Sequence, residues 1–227
     1  MDRRLVIFII LTLVLPLIDT VEAGGLLPRR FELLMNTSVV VVVGGDAPQA
    51  DLLQAQYVSR FLSDIFGREI PVISDYEADL ELLKNNSVIV VGGPVYNHVA
   101  RLLGLNLSCW FERSGDGWVM YVSGWKFSKP GYGFVDFEKN FFDANGSTYI
   151  VWLAGIDRNG TVAAVNVFLK ANLKRGDVAA VRLKGNYAVV VFCSSVLCDQ
   201  QKKRYLPAPP VAPIVYVSVG SGGSPAG

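Results

Sequence analysis

The residue types that most often perform catalysis or bind metals are scarce in this chain of 227 residues, which has one histidine and three cysteines. A structural zinc site needs about four Cys or His ligands, and a nucleophilic triad needs a histidine beside its nucleophile. His98 lies in a predicted helix without a candidate partner, so we interpret it as a structural residue. The sequence therefore predicts a protein that is not an enzyme and has no metal site and no cofactor.

Carboxylates near the ends of predicted strands are the remaining candidates for acid–base chemistry. A pair of them would suit glycoside hydrolysis, and a denser group would suit calcium binding. The candidates are Asp46, Asp75, Asp136, Asp143 and Asp157. None of them shows the dense Asp-x-Asp spacing of a calcium loop, so the sequence alone assigns no site to them.

Two Gly-Gly turns occupy the position between strand and helix at which mononucleotide-binding folds hold phosphate. The first is Val43-Gly44-Gly45-Asp46, and the second is Gly92-Gly93-Pro94 with Asn97 one turn further on. Their spacing is not G-x-G-x-x-G, no Gly-Lys-Ser/Thr follows, and Asp46 would place a negative charge beside a phosphate. We therefore interpret both as tight turns that start helices, with Asp46 as a helix cap.

An aromatic-rich stretch runs from Trp110 to Phe142. Its rings could stack on sugars or contact a neighbouring subunit, or they could fill the half-buried face of an edge sheet, where aromatic residues are common. The stretch contains Trp110, Phe111, Trp118, Tyr121, Trp125, Phe127, Tyr132, Phe134, Phe137, Phe141 and Phe142. The edge-sheet interpretation is favoured, and sugar binding remains the alternative.

Residues 1–23 have the three parts of a secretory signal peptide. Arg3 and Arg4 form the basic start, an apolar run follows, and Val21-Glu22-Ala23 supplies the small-residue end. The run is shorter than the roughly 20 residues of a membrane-spanning helix, so it would hold the chain at a membrane only as a retained anchor. We predict cleavage after Ala23 and a secreted protein at the cell surface.

Five of the eleven asparagines stand in the Asn-X-Ser/Thr pattern that accepts N-linked glycans. They are Asn36, Asn85, Asn106, Asn145 and Asn159. With 20 serines and threonines in the chain, random placement would put about one asparagine in this context. Two of the five lie in Asn-Gly sequences that are also ordinary turns. The enrichment predicts a glycosylated surface protein.

The cysteine count indicates one disulfide. Three cysteines in an exported chain leave one thiol that is free or paired between chains. Cys193 and Cys198 are the nearer pair, and their Cys-x4-Cys spacing can close a small loop. They are the disulfide candidates.

Two units of strand, Gly-Gly turn and helix open the part of the chain that follows the signal. Residues 39–43 and 88–91 are apolar throughout, as in strands covered on both faces. Each is followed by apolar residues at helical spacing, over 52–65 and 95–103. Strands that alternate with helices predict a parallel sheet with right-handed crossovers.

Later segments predict antiparallel pairs. Residues 117–123 and 133–137 are interpreted as a hairpin at a sheet edge, and 178–182 with 187–192 as a pair of closing strands. A further buried strand, 148–155, precedes a helix. The predicted fold class is α/β, with a three-layer Rossmann-like or flavodoxin-like, mostly parallel sheet and an antiparallel edge hairpin.

The chain divides into a signal peptide (1–23), a lead-in (24–37), an α/β domain (38–198) and a Pro/Gly-rich tail (199–227). The tail contains a proline-rich stretch that favours an extended linker and one isolated strand-like run. Along the whole chain, 21 basic and 20 acidic residues are interspersed. Duplex nucleic acid is therefore excluded as a partner, because binding it needs clustered positive charge.

The segments 39–62, 88–103 and 149–169 resemble, in that order, the Rossmann-like domain of archaeal surface-layer proteins. The shared features are a Gly-Gly-Asp-Ala turn, a Gly-Gly-Pro turn followed by Asn, and a late Gly-Thr helix. The resemblance implies a non-catalytic, glycosylated cell-envelope module that assembles with copies of itself or with other envelope proteins. Because this chain is shorter than such proteins, an accessory role is an alternative to that of lattice subunit.

A second resemblance concerns Gly67-Arg-Glu-Ile-Pro-Val72. This segment is similar to the second strand of the small α/β domain that precedes the catalytic barrel of some hexosaminidases and glucuronidases. The resemblance implies a secreted carbohydrate-binding or carbohydrate-modifying protein, with glycans as partners. This is the alternative function.

Overall fold

The computed structural model describes residues 29–170, 173, 175–185, 187–194 and 205–207. The predicted signal peptide and most of the predicted tail lie outside this part of the chain. The elements are α1 Arg29–Met35, β1 Val39–Val43, α2 Gln49–Phe66, β2 Val72–Ser74, α3 Leu80–Asn85, β3 Ser87–Val91, α4 His98–Gly104, β4 Cys109–Ser114, β5 Gly117–Val122, β6 Trp125–Phe127, β7 Tyr132–Lys139, β8 Tyr149–Gly155, α5 Arg158–Lys170, β9 Val178–Lys184, β10 Tyr187–Cys193 and β11 Tyr205–Pro207. Within the described residues, no helix combines the length and apolar character needed to cross a bilayer.

The principal sheet has eight strands in the order β11-β10-β9-β7-β8-β3-β1-β2. The pairings β2–β1, β1–β3 and β3–β8 are parallel, and the other four pairings are antiparallel. The predicted mostly parallel, three-layer Rossmann-like or flavodoxin-like fold is therefore wrong. The chain leaves the βα pattern after α4, and the strands that follow join the sheet mainly as antiparallel neighbours.

The predicted edge hairpin of 117–123 with 133–137 is also wrong. β5 pairs with β4 and β6 in a separate three-stranded antiparallel sheet, whereas β7 lies inside the principal sheet between β8 and β9. β5 instead turns back on β4 through Gly115, which has φ +60° and so occupies the left-handed region that glycine tolerates. The closing pair is confirmed, because β9 and β10 are antiparallel neighbours.

The two faces of the principal sheet are covered differently. On one face α1, α2 and α5 pack against alternate residues of the strands and form one hydrophobic core. On the other face α3, α4 and the three-stranded sheet cover the second core. All five valines of β1 are buried, as predicted for a strand covered on both faces.

Candidate functional site

A cleft of about 460 Å³ lies where α4 and the small sheet meet over the principal sheet. Apart from Arg101, every lining residue is uncharged, and three are tryptophans. The lining consists of Pro94, Val95, Ala100, Arg101, Gly104, Leu105, Trp110, Phe111, Trp118 and Trp152. We call this site the aromatic cleft. Its volume falls in the range of small-ligand and peptide pockets.

Trp152 of β8 anchors the aromatic cleft from below. It is fully buried, and its indole Nε1 donates a hydrogen bond to the carbonyl oxygen of Gly92 at 3.0 Å. Its ring meets Phe134 edge to face with the centroids 4.8 Å apart, and it also contacts Phe111. Because the indole is held by a hydrogen bond and by packed rings, the cleft has a fixed apolar base.

The outer rim of the aromatic cleft is unusually apolar. Leu105, directly after α4, is 82% exposed, and Val95 in the preceding loop is also exposed. Arg101 does not offset this character, because its Nε and one Nη donate to the carbonyl oxygens of Pro94 and Val95. The guanidinium therefore mainly fixes the loop in front of α4. Leu105 and Val95 thus extend the apolar character of the cleft to its exposed rim.

Sequence reasoning identified the aromatic stretch but not the aromatic cleft. Trp110 and Trp118 come from the stretch, whereas Trp152 and Leu105 come from outside it. Trp110 also stacks on Tyr121 with the ring centroids 4.8 Å apart. In the sequence, Leu105 is an apolar residue that stands directly before the Asn106 sequon. This unusual placement was a local signal that could have pointed to the rim of the cleft.

The candidate carboxylates do not form a catalytic pair in the described structure, and several are held by backbone amides. Asp75 accepts hydrogen bonds from the amides of Gly45 at 2.7 Å and His98 at 2.6 Å. It thereby ties the turn after β1 to the start of α4. Asp157 accepts from the amides of Gly131 and Gly160 and holds the start of α5.

Asp143 organises the loop between β7 and β8. Its oxygens accept hydrogen bonds from the amides of Asn145, Ser147 and Thr148 and from the hydroxyl of Ser147. The Ser147 hydrogen bond, followed by the amides, holds the pKa of this carboxyl well below its usual range. The Asp143 carboxylate therefore stays charged and holds the loop in shape, so it does not suit the role of a general acid.

The helix-start turns differ in detail from the prediction. Asp46 does not cap α2, which begins at Gln49 without a side-chain cap; its carboxylate instead accepts from the Tyr76 hydroxyl at 2.5 Å. That hydrogen bond is the main cause that raises the pKa of Tyr76. In the second turn, Gly92-Gly93-Pro94 precede the helix, and Asn97 is the cap of α4, accepting from the amide of Ala100 at 3.1 Å.

Gly44 is required by a close backbone approach. A Cβ atom on Gly44 would lie 1.8 Å from the carbonyl oxygen of Tyr96, in the loop that follows β3. The two Gly-Gly turns therefore touch one another at the carboxyl ends of β1 and β3. This contact explains why position 44 must be a glycine, and the explanation does not require a phosphate-binding role for the turn.

Asp136 of β7 is the most unusual titratable residue. It is fully buried in the core beneath the small sheet, and within the described residues no N–H or O–H group donates to its carboxylate oxygens; the neighbouring Cys109 thiol is a weak donor toward them. Burial raises its pKa to about 7. Nearby, Cys109 is a buried free thiol whose pKa is raised by burial and by Asp136. No sequence signal distinguished this aspartate from the other four.

The five sequon asparagines are all exposed. They are Asn36, Asn85, Asn106, Asn145 and Asn159. Three of them end helices, and their Nδ2 atoms donate to carbonyl oxygens four residues earlier. Cys193 is disulfide-bonded, whereas Cys198, its predicted partner, lies outside the described residues.

Within the described residues, no group of three or more His, Cys, Asp or Glu side chains is placed to hold a metal ion. A comparison with protein-family models and with curated proteins finds no match for the chain.

Proposed function

We propose that this chain is an exported, N-glycosylated protein with a non-catalytic, structural role at the cell surface. One observation carries the proposal: every asparagine in a sequon is exposed. N-linked glycans are bulky and hydrophilic, so they require exposed attachment points. Asparagines placed only by turn chemistry have no such requirement.

Asparagines that are not glycan acceptors provide the contrast; one of them, Asn86, is the middle residue of the Asn85 sequon. Of the four that the structure describes, Asn97, Asn140 and Asn166 are buried and Asn86 is half-buried. Asn97 caps α4, Asn140 donates to the carbonyl oxygens of Leu83 and Asn86, and Asn166 donates to the carbonyl oxygen of Val162 within α5. The exposed and buried sets therefore divide according to the sequon pattern.

The hydrogen bonds of the helix-ending asparagines are compatible with a glycan. An asparagine amide has two N–H donors, and a glycosidic bond to Nδ2 replaces one of them. In Asn36, Asn85 and Asn106 a single carbonyl oxygen accepts from Nδ2. The remaining N–H of a glycosylated amide can keep that bond while the sugar points to solvent.

The sequons concentrate at one end of the principal sheet. Asn36, Asn85 and Asn145 precede β1, β3 and β8, and these three strands are adjacent and parallel. The amino ends of these three strands therefore lie at the same end of the sheet. Glycans there would cover that end of the sheet, whereas a glycan on Asn106 would stand beside Leu105 at the rim of the aromatic cleft.

The role within the envelope is the finer part of the proposal. The resemblance to surface-layer proteins suggests a structural or accessory component of an archaeal surface layer that contacts other envelope proteins or copies of itself. The Rossmann-like sheet that this resemblance implied was wrong, so the support comes from the sequons, the disulfide-bonded Cys193 and the apolar rim. A disulfide is typical of exported proteins.

Sugar binding, the alternative, is less well supported by the aromatic cleft. A carbohydrate site needs polar groups that orient hydroxyls beside the stacking rings. Among the lining residues that the structure describes, Arg101 is the charged one, and it is already hydrogen-bonded to two carbonyl oxygens. The lining suits an apolar occupant.

The test is peptide mapping by mass spectrometry of the protein purified from its native host envelope. We expect a mature chain without residues 1–23 and with glycan mass on the sequon asparagines. Asn145→Gln should remove one glycan, whereas Asn97→Gln, outside every sequon, should leave the mass of attached sugar unchanged in the protein that folds. A chain that carries no glycan on any sequon would refute the proposal.

A further inference from the structure

We propose that ionisation of Asp136 releases the small sheet, formed by β4, β5 and β6, from the principal sheet, so that this part of the fold opens as the pH rises. The release does not depend on glycosylation or on the proposed role at the cell surface. Three observations support it: the position of Asp136, the way in which the small sheet is attached, and the charges around the carboxyl group.

Asp136 lies at the interface between the two sheets. Phe134, two residues earlier on β7, belongs to the core beneath the small sheet, and alternate residues of a strand share a face. The cross-strand neighbours of Asp136 are Trp152 of β8 and Val178 of β9, and both belong to the same core. From the small sheet, the Cys109 thiol of β4 interacts with the carboxyl group. The fully buried carboxyl group therefore lies between β7 and β4.

The small sheet is attached by side-chain packing. Its strands pair with one another, and in the described part of the chain no ladder hydrogen bond joins them to the principal sheet. Cys109, Met120 and Val122 are fully buried in the second core. The three strands follow one another along the chain within 109–127. A continuous segment that is attached by packing rather than by ladder hydrogen bonds can open as a unit while the rest of the fold stays intact.

Asp136 makes this packing sensitive to charge. Among the described residues, no Lys, Arg or His side chain forms an ion pair with it. The charged group that acts on it is Glu138 of β7, which has the same sign, whereas Arg175 and Asp177 act on Glu138. The residues that face Asp136 from β5, β8 and β9 are uncharged. Ionisation of Asp136 in the closed form is therefore costly, because the carboxylate gains neither water nor a cation.

Opening of the small sheet lets water reach the carboxylate. In the closed form, burial and then Glu138 raise the pKa of Asp136 from 3.8 to about 7, whereas a hydrated carboxyl group ionises near its ordinary pKa. Between these two values each pH unit favours the open form by about tenfold, and above the higher value the effect stops growing. Opening uncovers Phe134 and Trp152 and removes the aromatic cleft, because Phe111 and Trp118 leave with the small sheet.

The first experiment measures how fast iodoacetamide modifies Cys109 in the full-length mature chain, with the disulfide of Cys193 kept oxidised. Because Cys109 is fully buried, its modification reports opening, and peptide mapping assigns the modification to this residue. Every thiol reacts faster as the pH rises, so the quantity to compare is the rate in native protein divided by the rate in Asp136→Asn. We expect this ratio to rise about tenfold per unit between about pH 5 and pH 7 and then to level off.

Asp116→Asn is the matched control. It makes the same chemical change at an exposed residue in the turn between β4 and β5. Its rate of modification should equal that of native protein at every pH. A ratio of native protein to Asp136→Asn that does not change with pH would overturn the role of Asp136.

The second experiment needs no variant and so does not depend on the folding of Asp136→Asn. Hydrogen–deuterium exchange, corrected for the intrinsic pH dependence of amide exchange, compares the amides of β4, β5 and β6 with those of β1, β3 and β8. We expect the small sheet to be at least about tenfold less protected at each pH, with protection that falls between about pH 5 and pH 7.

Equal protection of the two sheets would show that Cys109 is reached by global unfolding, and it would overturn the release of the small sheet. Protection of the small sheet that stays constant with pH would likewise contradict the proposal. Both experiments use protein produced without glycans, so their result is separate from that of the glycan mapping.

Discussion

Replacement of Asp136 by asparagine should change how the stability of this protein depends on pH. The carboxyl group is fully buried, receives no N–H or O–H hydrogen bond within the described residues, and has a pKa raised by burial from 3.8 to about 7 despite the weak opposing effect of the Cys109 thiol. Burial of this group costs free energy only when the group is charged, because a buried carboxylate loses its hydration. Asparagine has nearly the same shape and never ionises in this range.

The sign follows from the two pKa values. Below the ordinary value of 3.8 the carboxyl is protonated in both the folded and the unfolded state, so it contributes no pH dependence. As the pH rises from there to about 7, only the unfolded state gains the free energy of ionisation, and the native protein loses stability. The full loss is present above about pH 7 and corresponds to about 4 kcal/mol.

The assay is urea unfolding of native protein and Asp136→Asn at several values between about pH 4 and pH 8, with the disulfide intact. The quantity to compare is the difference between the two unfolding free energies, because other titrating groups cancel in it. We expect this difference to move by about 4 kcal/mol in favour of the variant as the pH rises. Whatever free energy burial of the substituted asparagine amide costs, this cost does not depend on pH. It therefore shifts the difference in unfolding free energy equally at every pH. A difference that does not change with pH would refute the argument.

Three further predictions concern other buried contacts. Arg30→Met should lower the unfolding free energy by about 2–4 kcal/mol in urea, because the buried guanidinium donates to two carbonyl oxygens in the last turn of α5; an unchanged midpoint would contradict this role. Gly44→Ala should destabilise the fold by at least about 2 kcal/mol, since its Cβ would collide with the carbonyl oxygen of Tyr96; a thermal melt equal to that of native protein would show that the turns do not touch. Ser87, the sequon hydroxyl after Asn85, is fully buried, so glycan should be added there only before folding, and incubation of folded protein with the glycosylating enzyme should leave Asn85 bare in peptide maps.

The strand and helix units of the first half could be predicted from sequence because their signals are local. β1 and β3 are continuous apolar runs, and α2 has helical apolar spacing that ends at Gly67 in the left-handed conformation. Hydrophobic period and helix-ending glycine both operate within one element. The same locality identified the sequons and the closing hairpin.

The arrangement of the strands could not be predicted in the same way. β7 looks like any buried strand, and its sequence does not state whether its neighbours run parallel or antiparallel. Its position between β8 and β9 follows from pairing with both of these strands, and β9 comes about 40 residues later in the chain. This choice is made by packing between elements far apart in the chain.

The sequence by itself determined the properties that act over a few residues: the buried strands, the predicted export signal, the sequons and the poverty of catalytic residue types. Only the tertiary structure decided that the sequon asparagines are exposed, that Asp136 is buried, and that Trp118, Trp152 and Leu105 line one cleft. Exposure and cleft formation depend on where separate elements pack. Side-chain type and spacing carry no record of that packing, because the same apolar residue can fill a core or border a cleft.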